Sequence, residues 1–395
     1  MNKLKILSSE YGVFRGEIQE FFKRMLRKRK QSVILDPMAG TAPLIPLIET
    51  NGHMAYLNDI LPLYFFINRA KTYQVFQHYQ QHGYDWHFQE LLDCMTPLEG
   101  KTLCISDKWI DDSILHGLIH AWHATEQYDE SSEAILKATI LLCVRPLSST
   151  TKSNNPTWLK YGGISSGEPL QEIIGDSLTK FDRYYRYHYE SCHIRKRGIC
   201  VITDQNAAEL QLAKKVDLIL TSPPYCNRLD SVVQYGPENY FLSALGHTIV
   251  EEDLIGTTKV KDYDRFALDF EYLTTNSEYA CKLLTKIKES PIADDPGYYL
   301  KYYTRYFAKL FHVIDRVLSN LSTAGRMYIV TQDNTHRGQL IEISRLLREL
   351  LKAEGWKSRR VKRWPRHHLG LRNPRARNHG FVRPKVYERI TVVYR

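Results

Sequence analysis

The chain has 395 residues, with 54 Lys and Arg against 44 Asp and Glu, which gives a formal net charge of +10 and a pI of about 9.1. Apolar residues make up 43% and charged residues 25%, close to globular averages, which excludes a fibrous or predominantly disordered protein. Its apolar runs are shorter than the roughly 20 residues that cross a bilayer. Because the N-terminus does not resemble a secretory signal, we expect a cytoplasmic protein without a membrane partner. The cysteines form no C-x-x-C pair, so no metal site is predicted.

The first periodic segments form the pattern of half a nucleotide-binding βαβ unit. They are a helix over residues 16–30, a strand over 32–35 ending in Asp36-Pro37, the loop 38–42, a helix over 43–49 and a strand over 53–57. Asp59 lies 23 residues after Asp36. This separation is near the roughly 20 residues at which such an acid reaches a ribose hydroxyl.

Residues 65–197 have mainly helical spacing, as at Ile110, Ile114 and Leu118, so we predict a mainly helical insertion there. The β pattern resumes with two predicted buried strands, and residues 236–297 have little periodicity and are interpreted as a variable region. The later elements are strands over 198–204 and 216–221, a helix over 298–318, a strand over 325–331, a helix over 340–354 and strands over 359–364 and 387–394. The sequence therefore predicts an α/β fold in which a mostly parallel sheet of seven strands ends in an antiparallel hairpin.

The sharpest signal is Thr221-Ser222-Pro223-Pro224-Tyr225, directly after a predicted buried strand. Ligands of open α/β sheets bind at the carboxyl ends of strands, so this segment has the position of a site. The two prolines fix two backbone dihedrals and remove two N–H donors, which leaves a rigid set of acceptors. The Ser222 hydroxyl and the Pro223 carbonyl suit the two N–H donors of an exocyclic amine, with Tyr225 stacked on the base. The alternative is a structural turn or a proline-rich peptide ligand.

This motif, together with Asp36-Pro37-Met38-Ala39-Gly40-Thr41, resembles the catalytic and cofactor motifs of the amino-group DNA methyltransferases, which use S-adenosylmethionine. The resemblance implies a Rossmann-like seven-stranded methyltransferase sheet. It implies a discontinuous catalytic domain over 1–64 and 198–395, interrupted by the helical insertion 65–197. In that family the serine form of the motif is typical of cytosine-N4 enzymes, whereas an Asp or Asn form is commoner in adenine-N6 enzymes.

The resemblance also assigns roles to single residues. The implied catalytic set is Ser222, Pro223, Pro224 and Tyr225. The implied cofactor contacts are Phe14, Asp36, Pro37, Ala39, Gly40, Thr41, Asp59, Asp204 and Gln205. Within that set Asp59 would bind the ribose hydroxyls, and Asp204 with Gln205 would lie beside the adenine ring. An alternative for Asp59 is a helix N-cap before Leu61. The loop departs from the family pattern at Met38-Ala39 and at Ala42-Pro43.

A basic run near the C-terminus predicts contact with nucleic-acid phosphates. Twelve Lys and Arg lie between Lys357 and Arg389, with Glu388 the only acid. The candidate contacts are Arg359, Arg360, Lys362, Arg363 and Arg366. The alternative is a solvated basic face.

Together these signals predict a site-specific DNA methyltransferase that acts on a base flipped out of the duplex, with cytosine N4 preferred. Target recognition would fall to the insertion 65–197, to the variable region 236–297, or to both. The alternatives are an adenine-N6 DNA methyltransferase, an RNA methyltransferase and a catalytically inactive nucleic-acid-binding module. A partner from a restriction or defence system is left open.

Overall fold

The computed structural model describes residues 16–98, 109–151, 160–161, 168–190, 197–226, 231–257, 260, 263–289, 296–336, 338–366 and 384–395. Its eleven strands are β1 (Val33–Asp36), β2 (Met54–Asn58), β3 (Thr150–Thr151), β4 (Lys160–Tyr161), β5 (Ile199–Thr203), β6 (Val216–Thr221), β7 (Leu321–Gln332), β8 (Asn334–His336), β9 (Gln339–Ile341), β10 (Lys357–Arg366) and β11 (Val386–Tyr394), counted over the described ranges. Seven of these strands form the main sheet, in the order β10-β11-β7-β6-β1-β2-β5. The predicted α/β fold with a seven-stranded sheet is therefore confirmed.

The strand directions in the main sheet are also those expected. The β1–β6, β6–β7 and β2–β5 pairs are parallel, whereas β7–β11 and β10–β11 are antiparallel. The two last strands thus close a parallel core with a hairpin, as the spacing of the C-terminal segments predicts. The remaining short strands pair as β3–β4 and β8–β9.

Helices occupy most of the rest of the described chain. They are α1 (Gly16–Arg27), α2 (Ile45–Thr50), α3 (Pro62–Arg69), α4 (Tyr73–Met95), α5 (Asp112–Ala124), α6 (Glu130–Val144), α7 (Leu170–Tyr185), α8 (Ser231–Gln234), α9 (Gly236–Ala244), α10 (Phe266–Asn276), α11 (Glu278–Lys288), α12 (Pro296–Leu318) and α13 (Ile343–Ala353). No described helix is long and apolar enough to cross a membrane.

The chain divides into two compact units. The first, here the helical unit, comprises Met1–Ser32, Ala39–Asp204 and Asp230–Val250; the second, here the hairpin unit, comprises Val33–Met38, Gln205–Leu229 and Glu251–Arg395. Each unit is a group of segments that lie close together in space. The predicted division into a catalytic domain and an insertion stays a prediction.

The helical unit has one large apolar core formed by α3 to α7 and α9. Leu118 of α5 and Ile135 of α6 are completely buried in it, as the helical spacing of this region predicts. The segment after the Ser-Pro-Pro-Tyr motif also belongs here, because Phe241 of α9 packs edge to face on Trp122, with ring centroids 5.6 Å apart. Gly236 begins α9 where an added Cβ would lie 2.5 Å from the Trp109 ring, so only glycine fits without a shift.

Strand β5 differs from its prediction as a buried strand. It is the last strand of the main sheet, and its residues are only partly buried, with Ile199 62% exposed. An edge strand has a neighbour on one side only, which explains why an apolar run remains partly accessible.

In the hairpin unit, α10 to α13 accompany β1, β6, β7, β10 and β11. Three tyrosines of α12 serve as core residues, since Tyr302, Tyr303 and Tyr306 are all nearly inaccessible. Helices α10 and α11 lie in the region 236–297, where no helix was predicted. In α10 the only fully buried side chain is Leu273. The apolar residues of this helix therefore do not form one buried face that helical spacing would reveal.

Candidate functional site

The glycine loop follows β1 and contains two backbone conformations that favour glycine. Gly40 has a φ of 52° and Ala42 a φ of 40°, both in the left-handed region. This conformation costs roughly 1–2 kcal/mol for a residue with a Cβ. Ala42 therefore keeps a strained backbone at a position where the family pattern has glycine. Before the loop, Asp36 is buried and accepts a hydrogen bond from the Met38 N–H at 3.3 Å.

Asp59 holds the loop to the start of α3. Its Oδ2 accepts a hydrogen bond from the Gly40 N–H at 2.8 Å, and its Oδ1 accepts one from the Leu61 N–H at 3.1 Å. Burial raises the pKa of Asp59 to about 6, although hydrogen bonds from the backbone of Leu61, Gly40 and Ile60 act in the opposite direction. The N-cap residue of α3 is Leu61 itself, so Asp59 turns the chain just before the helix. Its role toward a ribose stays a prediction.

Two buried side chains hold the carbonyls of the same loop, and sequence reasoning missed both: Asn68 lies in the last turn of α3, and Lys71 lies two residues after its end. The Asn68 Nδ2 donates to the Gly40 carbonyl at 2.7 Å, and the Lys71 Nζ donates to the Thr41 carbonyl. Both side chains are about 1% exposed, and burial lowers the pKa of Lys71 to about 7. The available signal was a polar pair, three residues apart, in and just after the last turn of a mainly apolar helix.

Two buried polar atoms at the loop have no hydrogen-bond partner among the described residues. They are the Thr41 Oγ1 and the Asn68 Oδ1. Buried polar atoms without a partner are uncommon in folded proteins, and a bound polar ligand is one explanation for them. Together with the partly accessible Asp59, these atoms fit the S-adenosylmethionine that the resemblance implies.

Asp204 and Gln205 follow the carboxyl end of β5 and are both exposed. In the helical unit, Thr203 pairs in register with Asn58, and the Asp59 N–H donates to the Thr203 carbonyl at 3.2 Å. The structure therefore brings the ends of β2 and β5 together, with the predicted ribose and adenine contacts just beyond them. Phe14 lies outside the described residues.

We expect the Asn68→Ala variant to bind S-adenosylmethionine about tenfold more weakly. The reason is that it frees the Gly40 carbonyl from a buried hydrogen bond, and one such bond contributes about 0.5–1.5 kcal/mol. Calorimetric titration with the cofactor measures this change. The matched control is Asn51→Ala, which removes a side-chain bond to a helix carbonyl away from the loop. Equal losses in the two variants would contradict a role of Asn68 in the loop.

The Ser-Pro-Pro-Tyr motif lies at the carboxyl end of β6, as predicted. Pro223 is buried and Pro224 is exposed. The Tyr306 hydroxyl of α12 donates to the Pro224 carbonyl at 2.7 Å, and the Asn334 Nδ2 donates to the Cys226 carbonyl. Two side chains from other elements thus hold the backbone of this segment.

Within the motif, a chain of hydrogen bonds leads from Ser222 to a buried acid. The Ser222 hydroxyl donates to the Tyr225 hydroxyl at 3.3 Å, and the Tyr225 hydroxyl donates to the Glu388 Oε1 at 2.5 Å. Burial raises the pKa of Tyr225 well above its usual value, and the adjacent Glu388 raises it further. Tyr225 therefore remains a neutral hydrogen-bond donor at ordinary pH.

Glu388 in turn is paired with Arg366 of β10. The Arg366 Nε donates to the Glu388 Oε2 at 2.6 Å, and the exposed fractions of the two side chains are 8% and 3%. The sequence signal for Glu388 was that it is the single acid in the basic run. That signal does not predict its contact with Tyr225.

This arrangement fixes the polarity of the Ser222 hydroxyl. A carboxylate only accepts hydrogen bonds, so Tyr225 donates to Glu388, and Ser222 donates to Tyr225. The lone pairs of the Ser222 oxygen then remain to accept a hydrogen bond from another group. The motif thereby presents an acceptor, the property that an amino-group substrate requires.

The five predicted phosphate contacts all lie on β10. Arg359, Arg360, Lys362 and Arg363 are exposed, whereas Arg366 is partly buried and paired with Glu388. Arg360 forms an ion pair with Glu342. The part of the basic run over residues 367–383 lies outside the described residues. Contact with phosphate stays a prediction for all five.

Comparison of the chain with protein-family models and with curated proteins found no match. The functional assignment therefore depends on the residues and the geometry given above.

Proposed function

We propose that the protein is an S-adenosylmethionine-dependent methyltransferase that acts on an exocyclic amino group in DNA, with cytosine N4 preferred over adenine N6. The observation that carries the proposal is the hydrogen-bond chain from Ser222 through Tyr225 to Glu388. It makes the serine oxygen an acceptor at the end of a parallel strand, where ligands of α/β sheets bind. The glycine loop with Asp59 and Asn68 supports the cofactor assignment.

The residues of the motif have separate tasks in this reaction. S-adenosylmethionine supplies a methyl group that is already activated on a sulfonium, so positioning and electrostatics dominate the catalysis. The Ser222 oxygen accepts a hydrogen bond from one amino N–H, and the Pro223 carbonyl accepts the other. The amino nitrogen forms the new bond to the methyl carbon while the bond from that carbon to the sulfonium sulfur breaks. S-adenosylhomocysteine would leave, and the proton released by the amino nitrogen would pass to water. No covalent bond to the protein is needed.

The rigid shape of the motif matters because the amino lone pair must point along the line of transfer. Two consecutive prolines fix the backbone between Ser222 and Tyr225. The bond from Tyr306 to the Pro224 carbonyl and the bond from Tyr225 to Glu388 add two further restraints. A base reaches this segment only after leaving the duplex stack, which costs a few kcal/mol.

The proposal includes a DNA substrate that the basic β10 attracts, and a Rossmann-like methyltransferase architecture for the sheet. Target recognition by the segments 65–197 or 236–297 and a restriction or defence partner remain parts of the proposal. The proposal also includes a cytoplasmic location.

The Ser222→Ala variant tests the proposal. We expect the wild-type protein to transfer labelled methyl groups from S-adenosylmethionine to duplex DNA, and the variant to lose most of this activity while it keeps its cofactor affinity. Ser319→Ala, after α12 and outside the segments proposed for target recognition, is the matched control and should retain full activity. Transfer to DNA that does not depend on Ser222 would contradict the assigned site, and transfer only to RNA would contradict the substrate.

A further inference from the structure

The two faces of the β10–β11 hairpin carry different sets of cations. In an antiparallel pair, directly opposed residues project from the same face, and successive residues alternate. Arg359, Lys362, Trp364 and Arg366 lie opposite Val392, Ile390, Glu388 and Val386, in that order. These four residues share a face with Glu388, here called the Glu388 face. Arg360 and Arg363, opposite Thr391 and Arg389, lie on the other face, here called the Glu342 face.

A β-bulge produces this grouping. Arg359 and Lys362 are three residues apart, and in a regular strand they would project from opposite faces. The register of the pair shifts between Arg360 and Lys362, which inserts one additional residue. As a result, both cations lie on the Glu388 face, opposite Val392 and Ile390.

The cations of the Glu342 face are engaged within the protein. Arg360 is ion-paired with Glu342, and the Arg363 guanidinium lies 5.0 Å from the centre of the Tyr387 ring. On the Glu388 face, Arg366 is engaged by Glu388. Arg359 and Lys362 are both exposed, and neither has an acidic partner among the residues that the structure describes.

The spacing of this free pair suits a nucleic-acid backbone. Their partners Val392 and Ile390 are two residues apart, which corresponds to about 7 Å along a strand. One DNA strand advances about 3.4 Å per phosphate along the helix axis, so the separation of the pair corresponds to about two phosphate steps. Trp364 follows on the same face, opposite Glu388. Glu388 in turn holds the Tyr225 hydroxyl, so the face continues directly to the catalytic motif.

We infer that the Glu388 face of the hairpin binds the backbone of the DNA strand that carries the target base. Arg359 and Lys362 neutralise two phosphates of that strand, and Trp364 stacks on a neighbouring unpaired base, a contact worth about 1–3 kcal/mol. Arg366 is excluded from phosphate contact because it balances Glu388. The DNA substrate in this inference rests on the proposed function.

Two charge-matched double variants test the inference. Arg359→Gln with Lys362→Gln and Arg360→Gln with Arg363→Gln each remove two positive charges from the same strand. Binding of fluorescent duplex DNA is measured over a range of salt concentrations, and methyl transfer by the wild-type protein is measured in parallel. Each neutralised phosphate contributes about 0.9 to the slope of log K against log salt. We expect the first double variant to lose about 1.8 from the slope and the second to lose less than half of that.

The possible results distinguish the inference about the Glu388 face from the proposed function. Equal slopes for the two double variants, or a greater loss in the Arg360 and Arg363 variant, would overturn the inference even if the wild-type protein methylates DNA. The expected difference without any methyl transfer would support the face and overturn the proposed function. If the double variant Arg359→Gln with Lys362→Gln bound RNA more weakly but bound DNA as the wild-type protein does, DNA would be the wrong partner for this face. If the double variant Arg360→Gln with Arg363→Gln melts at a lower temperature than the wild-type protein, the two single variants Lys362→Gln and Arg363→Gln are compared instead of the two double variants.

Discussion

Replacing Tyr225 by alanine is expected to lower the turnover of methyl transfer to DNA by about 10²–10³-fold, the range seen when one preorganised polar group is lost from an active site. The substitution removes the ring proposed to stack on the base and also the hydroxyl that joins Ser222 to Glu388. Cofactor affinity should change little, because the predicted cofactor contacts lie elsewhere in the chain. Single-turnover kinetics and calorimetric titration measure the two effects. If cofactor affinity fell by as large a factor as turnover, the assignment of Tyr225 to the pocket for the base would be wrong.

The Tyr225→Phe variant separates the ring from the hydroxyl. It keeps the stacking surface but removes the donor to Glu388, so Ser222 loses the partner that fixes its polarity. Hydrogen bonds to charged groups contribute about 1.5–3 kcal/mol, which corresponds to a turnover loss of roughly 10–100-fold. The control is Tyr56→Phe on β2, which removes a tyrosine hydroxyl outside the segments proposed for target recognition. Wild-type turnover in Tyr225→Phe would show that the chain to Glu388 has no catalytic role.

The Arg366→Met variant is expected to lower the free energy of unfolding by about 3–5 kcal/mol, because it leaves the Glu388 carboxylate buried without its partner. The double variant Arg366→Met with Glu388→Met should recover most of this loss, since replacement of a buried pair by apolar residues is often neutral. Urea unfolding of the purified proteins measures both changes.

The control for this prediction is the exposed ion pair between Arg345 and Glu349 on α13. The exposed fractions of these two side chains are 48% and 28%, so Arg345→Met should cost less than about 1 kcal/mol. A similar small loss for Arg366→Met would mean that Glu388 is accessible to water and is not held as the structure indicates. In that case the polarity argument for Ser222 would also fail.

Local patterns were enough to predict the sheet. The β1 strand, its glycine loop and the β2 strand ending before Asp59 were found from residue type and spacing, as was the terminal hairpin. The position of Ser222 after β6 was predicted from the buried run before it. Each of these features depends on neighbouring residues only, so periodicity and turn signals are sufficient.

The features that were missed depend on contacts between distant segments. Asn68 supports Gly40 across 28 positions and Glu388 supports Tyr225 across 163, distances over which sequence spacing carries no signal. Whether β5 is central or at the edge depends on the order of strands in the sheet, which its own apolar run does not specify. The face on which each β10 cation lies depends on one bulge.

Identification of the modified nucleoside tests the central claim most directly. The protein is incubated with isotopically labelled S-adenosylmethionine and duplex DNA, the DNA is digested, and the nucleosides are identified by mass spectrometry. We expect labelled N4-methylcytosine, and we expect it to be absent with Ser222→Ala. Labelled N6-methyladenine would keep the amino-group mechanism but correct the base. Label on a ring carbon, or no label in DNA despite measurable cofactor binding, would contradict the proposed function.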